Sequence, residues 1–225
     1  CFCLVIGGAW FGKNSGEAAE QAFAAAEADG FQLVLDAGHG GEDGGALSAA
    51  GDKESNVNLS IVLRMDQLLG LCGVLPILTR SEDVSIHDAG ASTLREKKVT
   101  DIHNRVALVE SQPSPLLVSV HQNSYPDARY SGAQVFYGRT EESRIWGEAA
   151  QEILRQCLDE NNSRAAKRIP DTVYLMNHIS CPAILVECGF MSNREEAARL
   201  QTPEYQKKLA AALTGACLQY IHSDT

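Results

Sequence analysis

Four residues of this chain have the type and setting to do chemistry: His39 in VLDAGHGGEDGGA, Glu54 in GDKESNVNL, His121 in LLVSVHQNS and Glu187 in PAILVECGF. His39, His121 and Glu187 stand where apolar runs end, and Glu54 opens a helical pattern. Singly, each has an ordinary explanation. A histidine at a strand end is usually a hydrogen-bonded residue of the surface, and Glu54 would complement the positive end of a helix. Glu187 is harder to dismiss, because a carboxylate following Ala-Ile-Leu-Val loses its hydration unless it is paired or bound to something. Together they suggest more. Two histidines and a carboxylate from separate elements make the ligand set of a catalytic zinc site with one open position. A second carboxylate then fits as the general base that activates water.

The glycine-rich stretch around His39 admits three readings: a phosphate loop, a structural turn, or a mounting for the histidine. It lacks the GxxxxGK[ST] and GxGxxG spacings and has no lysine to meet a phosphate. The mounting is the reading retained, with the glycines allowing backbone to approach a metal closely and Asp36 as a partner that orients His39.

The elements that must position these residues alternate. Apolar runs at 31–37, 74–80, 116–122, 173–176 and 183–188 read as strands, and 132–137 as an edge strand. Helical periodicity appears at 54–72, 99–111 and 142–159, and again from Pro203 after an N-cap at Thr202. This is the pattern of an α/β fold: a single domain with a mostly parallel twisted sheet of about six strands, flanked by helices on both faces. In such sheets functional groups gather beyond the carboxyl ends of the strands.

At 225 residues the chain suits one core, with residues 31–225 as the domain. Its 29 acidic residues against 19 basic ones, a net charge of −10, argue against a nucleic-acid footprint, which needs a basic face. The seven cysteines show no zinc-knuckle spacing; Cys72, Cys157, Cys188 and Cys217 read as small core side chains. The first dozen residues, CFCLVIGGAWFG, are too few to span a bilayer and read either as a stray strand or as the end of a signal or anchor. A polar spacer follows at 13–30, which favours the anchor, so 1–30 is read as an N-terminal segment separate from the domain.

Four blocks then carry a resemblance. LVLDAGHGGEDGGA, KESNVNL, LVSVHQNS and ILVECGFMSN are similar, in order and spacing, to the signature blocks of the zinc-dependent N-acetylmuramoyl-L-alanine amidases of the amidase-3 family. ILTR at 77–80 and TPEYQKKLA at 202–210 match as well, and the likeness runs from Phe31 to about Ile221. AKRIPDTVYLMN and STLREKKVTDIHNRV look most like the sporulation and germination-specific subgroup that acts on spore cortex. The resemblance implies His39, Glu54 and His121 as ligands of one Zn2+ and Glu187 as the catalytic carboxylate. It implies peptidoglycan of the spore cortex or of the cell wall as substrate, with hydrolysis of the amide between N-acetylmuramic acid and the L-alanine of the stem peptide. Location outside the cytoplasm in the cell envelope follows, with the N-terminal segment as membrane anchor and an accessory or activator protein as a partner.

Residues 137–173 have room for one helix but not for the long inhibitory insertion of some septal amidases. Arg80, Arg105, Lys167 and Arg168 are candidates for stem-peptide carboxylates, and Asn123 for orienting a ligand. His87, His103, His178 and His222 read as peripheral. Two rivals stay open: a zinc peptidase cutting within stem peptides, and a wall-binding protein that keeps the fold without catalysis.

Overall fold

Near-continuous apolar runs such as LVLDA and LLVSV cannot face water on either side, so the strands they form need cover on both faces. In the computed structural model, which describes residues 30–223, they receive it. The elements are β1 (Gln32–Ala37), α1 (Glu54–Leu71), β2 (Ile77–Leu78), α2 (Leu94–Glu110), β3 (Pro115–Asn123), β4 (Gln134–Tyr137), α3 (Glu141–Leu158), β5 (Lys167–Arg168), α4 (Tyr174–Asn177), β6 (Ala183–Phe190), α5 (Arg194–Leu200) and α6 (Pro203–Ser223). The sheet order is β2-β1-β3-β6-β4-β5. All neighbours are parallel except β4, which runs antiparallel to β6.

Alternation along each strand divides the interior in two. Leu33, Leu35 and Ala37 of β1, Val118 and Val120 of β3, and Ile184 and Val186 of β6 join the larger cluster. It is closed by Ile61 and Met65 of α1, Trp146 of α3, and Leu209 and Leu213 of α6. Trp146 donates its indole N–H to the Ala216 carbonyl at 3.2 Å and stacks on Tyr220, which pins α3 to α6. Truncating a fully buried leucine here, Leu209 for example, should cost about 2–5 kcal/mol. The opposite face buries Val34, Leu117 and Leu185 under Val109 of α2 and Leu175 and Met176 of α4, a smaller cluster.

Several local expectations are corrected. The strand read at 173–176 is instead the short helix α4 at 174–177, because the turn from Pro170 to Val173 delivers Leu175 and Met176 as a plug on the smaller cluster. Helix α2 begins five residues earlier than periodicity indicated, since Thr93 and Glu96 form a reciprocal capping box. Strand β4 is not the outermost, because the two-residue β5 lies outside it. Cys72 and Cys157 are exposed at helix ends, whereas Cys188 and Cys217 are buried as expected. Between Tyr137 and Val173 the sequence is occupied by α3 and β5. The reading of 1–29 as anchor and spacer lies outside the described residues; among the described ones, no helix is long and apolar enough to cross a membrane.

Candidate metal centre

The glycine loop and helix α1 are built as one unit. Helix α1 has Lys53 at its N-cap and no side-chain cap. Its first N–H groups find backbone acceptors in the loop instead: Glu54 N–H donates to the Ala46 carbonyl at 2.9 Å and Ser55 N–H to Gly44 at 3.1 Å. Glu54 Oε2 returns the tie by accepting the Ala46 N–H at 2.8 Å. The position of Glu54 is thereby fixed by the same loop that carries His39.

His39 itself has φ +63°, a left-handed conformation that costs a non-glycine residue about 1 kcal/mol. Two buried arginines hold the backbone there. Arg105 donates to the carbonyls of Ala37 and His39, and Arg80 to those of Ala37, Gly38 and Ser55, all within 3.2 Å. Arg105 is paired in turn with Asp36 and Asp101. Asp36 is fully buried and also accepts the hydroxyls of Thr79 and Ser119. Burial opposes its ionisation, but the Arg105 guanidinium and these donors bring its pKa down to about 2.

Three donor groups converge. Glu54 Oε1 lies 3.0 Å from His121 Nδ1 and 3.4 Å from His39 Nε2. One ligand atom from each of His39, Glu54 and His121 falls within 4.8 Å of the other two. Ligands on a tetrahedral zinc at about 2.0–2.1 Å stand roughly 3.4 Å apart, so this spacing suits one ion. The far nitrogen of His39, Nδ1, lies 2.9 Å from Asp43 Oδ2, the carboxylate–histidine pairing that fixes ring orientation in metal sites. Glu54 Oε1 accepts the Gln122 N–H at 3.0 Å and the Asn58 amide at 3.3 Å. Glycine is required at two places. A Cβ at Gly38 would collide with the His121 ring, and one at Gly45 would lie 2.7 Å from the His39 ring.

Charge in this cluster follows from the pairing. Burial works against the His39 cation, yet Asp43 and Glu54 push its pKa up to about 9. Burial also opposes the Glu54 carboxylate, but His121 and His39 hold it well below the usual range. Glu187 differs. Burial pushes it up to about 7, and Glu54 adds to the rise against the opposing pull of His121 and His39. Its buried Oε2 has no hydrogen-bond partner among the described residues. Glu187 stands directly opposite His121 in the β3–β6 ladder and opposite Gln134 in the β6–β4 ladder. Facing residues share a face, so His121, Glu187 and Gln134 form one polar row at the carboxyl end of β3. The donor set can hold a divalent cation, and an unpartnered carboxylate beside it can accept a proton from water.

All four residues singled out in the sequence are thus brought together. Asp36 is not the partner of His39; Asp43 is, and Asp36 anchors Arg105 beneath the loop. Arg80 and Arg105 are buried in that scaffold and unavailable to substrate, while Lys167 and Arg168 are exposed on the outer strand. Asn123 serves through its backbone, accepting the Met191 N–H at 2.7 Å. His178 is exposed and stacked on Tyr174. Asn58 was overlooked, although its place one turn after Glu54 on the same helix face was readable.

Residues 33–219 match the Amidase_3 family, described as N-acetylmuramoyl-L-alanine amidase. The chain is 38% identical over 192 residues to the germination-specific N-acetylmuramoyl-L-alanine amidase of Bacillus subtilis, covering 84% of this chain and 79% of that protein. Its fold is similar to that of the CwlD amidase from Clostridioides difficile, solved in complex with the GerS lipoprotein: TM-score 0.81, 34% identity, 86% of this chain and 99% of that one. It also resembles the amidase AmiC2 of Nostoc punctiforme, with TM-score 0.67, 30% identity, and coverage of 85% and 97%.

Proposed function

The chain belongs to the Amidase_3 family of N-acetylmuramoyl-L-alanine amidases, and from that premise we propose that His39, Glu54 and His121 hold one zinc ion while Glu187 moves the proton in amide hydrolysis. It is a peptidoglycan hydrolase, and zinc dependence is general in its family. The observation that carries the residue assignment is the row in which Glu187, with a buried and unpartnered Oε2, faces the proposed ligand His121. When bound, zinc lowers the pKa of water towards about 7 and polarises a carbonyl.

The protein's own groups do the rest. Asp43 holds the His39 ring so that Nε2 faces Glu54, and Arg105 and Arg80 hold the loop beneath it. Glu187 takes the proton of the attacking water on its carboxylate and hands it to the amine of L-alanine as the lactyl–alanine bond breaks. A pKa raised by burial suits a group that must both accept and release a proton near neutrality.

The substrate within this reading is spore cortex, supported by the likeness to the germination-specific amidase of Bacillus subtilis. Action takes place outside the cytoplasm, where the wall is, with 1–30 as the remnant of a signal or anchor followed by a spacer. An accessory protein is a further partner, supported by the lipoprotein bound to the Clostridioides difficile amidase. Digestion of purified cortex and vegetative wall by the zinc-loaded protein, read by mass spectrometry, tests the reading. Stem peptides freed whole with an N-terminal alanine, more from cortex, are expected. Cleavage between amino acids would establish the rival peptidase.

A further inference from the structure

The polar row does not end at Gln134. The Gln134 side chain is buried and held on two sides: its amide donates to the Ala165 carbonyl at 3.0 Å, and its Oε1 accepts from Arg164 Nη1 at 3.0 Å. Arg164 is further fixed by its Nε, which donates to the Ser131 carbonyl at 2.8 Å. Its guanidinium carbon lies 4.6 Å from the Phe190 ring centroid and 5.8 Å from that of Tyr130. Stacking and two hydrogen bonds set the plane of the guanidinium, while Nη2 has no protein acceptor among the described residues. No carboxylate pairs with it there either.

The surroundings suit an anion. Arg164 is half-buried and lines an open cavity of about 580 Å³ together with Lys167 and Arg129, and Asp159 is the one acid in its wall. Arg129 is already paired with Asp127, so Arg164 and Lys167 are the cations of the wall without an ion-pair partner among the described residues. The cavity lies one strand beyond Glu187: neighbouring strands are about 4.8 Å apart, and the Gln134 side chain spans the remainder, roughly 10 Å in all. An extended peptide advances about 3.3–3.6 Å per residue, so a group two to three residues from the scissile amide reaches that distance.

We propose that Arg164 is a specificity-determining residue that binds a free carboxylate of the stem peptide, with the peptide running along the row His121–Glu187–Gln134 towards it. This rests on the amidase reading and adds the direction of the peptide and the group that recognises it. A fixed, planar guanidinium meets a carboxylate with two parallel hydrogen bonds, which is why a lysine at the same place would do so less well.

The test compares two soluble muropeptides on the zinc-loaded full chain, one with free stem carboxylates and one with the same groups converted to amides. Amidation should raise the wild-type KM about tenfold to a hundredfold with little change in kcat. Arg164→Gln should raise KM on the free-acid substrate by a similar factor and lose little more on amidation, and Arg164→Lys should fall between. Equal losses on both substrates, or an effect on kcat alone, would overturn the proposal. So would a wild-type enzyme that does not distinguish the two substrates, an outcome that holds even if Arg164→Gln fails to fold. The amidase reading fails separately, if wild type releases no alanine-terminated stems from either substrate.

Discussion

His121 and Glu187 face each other across neighbouring parallel strands, so the proposed ligand and the proposed proton carrier share one row and one face of the sheet. The rest of the site is brought to that row from two other elements, the loop after β1 and the first turn of α1.

Glu54 should be a ligand and not only a helix-terminal charge. Glu54→Ala should lower zinc content, measured by elemental analysis after dialysis, by tenfold or more in affinity. Its loss also leaves His39 and His121 without their shared carboxylate. Full zinc occupancy in this variant would demote Glu54 to a structural role.

Gly38 should be intolerant of any side chain because its Cβ would fall on the His121 ring. Gly38→Ala should weaken zinc binding and destabilise the fold by about 1–3 kcal/mol. Gly70 lies inside α1 with open space around it, and Gly70→Ala should be neutral or slightly stabilising. Chelator competition and thermal melting on the two variants check this; the reverse ranking contradicts it.

Acid should loosen the floor of the site through Asp36. Its folded pKa of about 2 lies below the ordinary aspartate value of 3.8, so the stabilisation it supplies is complete above about pH 4 and is lost as pH falls towards 2. The size is about 2 kcal/mol, taking 1.36 kcal/mol per pKa unit. Urea unfolding of wild type and Asp36→Asn across that window should show a steeper decline in wild type. Parallel declines would remove Asp36 from the account.

Much of this was readable in the sequence because the site lies at strand ends, where an apolar run makes a following His or Glu conspicuous. His39, His121 and Glu187 all announce themselves that way, and the alternation of runs gives the layered fold. The scaffold beneath was harder to read. Arg80 and Arg105 look like ordinary surface cations in one dimension, and only the fold shows them buried against the carbonyls of 37–39. The choice of Asp43 over Asp36 as the partner of His39 depends on the left-handed turn at His39, which local sequence does not dictate. Helix α4 was misread because four apolar-rich residues fit a strand as well as one helical turn, and the tertiary surface they plug decides between them. Arg164 lies in a polar segment with no periodicity, and its importance comes only from Gln134 standing opposite Glu187.

The measurement closest to the central claim is Glu187→Gln, assayed for zinc content and turnover on the same preparation. The change preserves shape but removes the proton acceptor, and none of the three proposed ligands is altered. Zinc content equal to wild type with turnover reduced by about a hundredfold or more is the expected result. Turnover unchanged, or zinc and turnover lost together, would contradict the division of labour between Glu187 and the cluster of His39, Glu54 and His121.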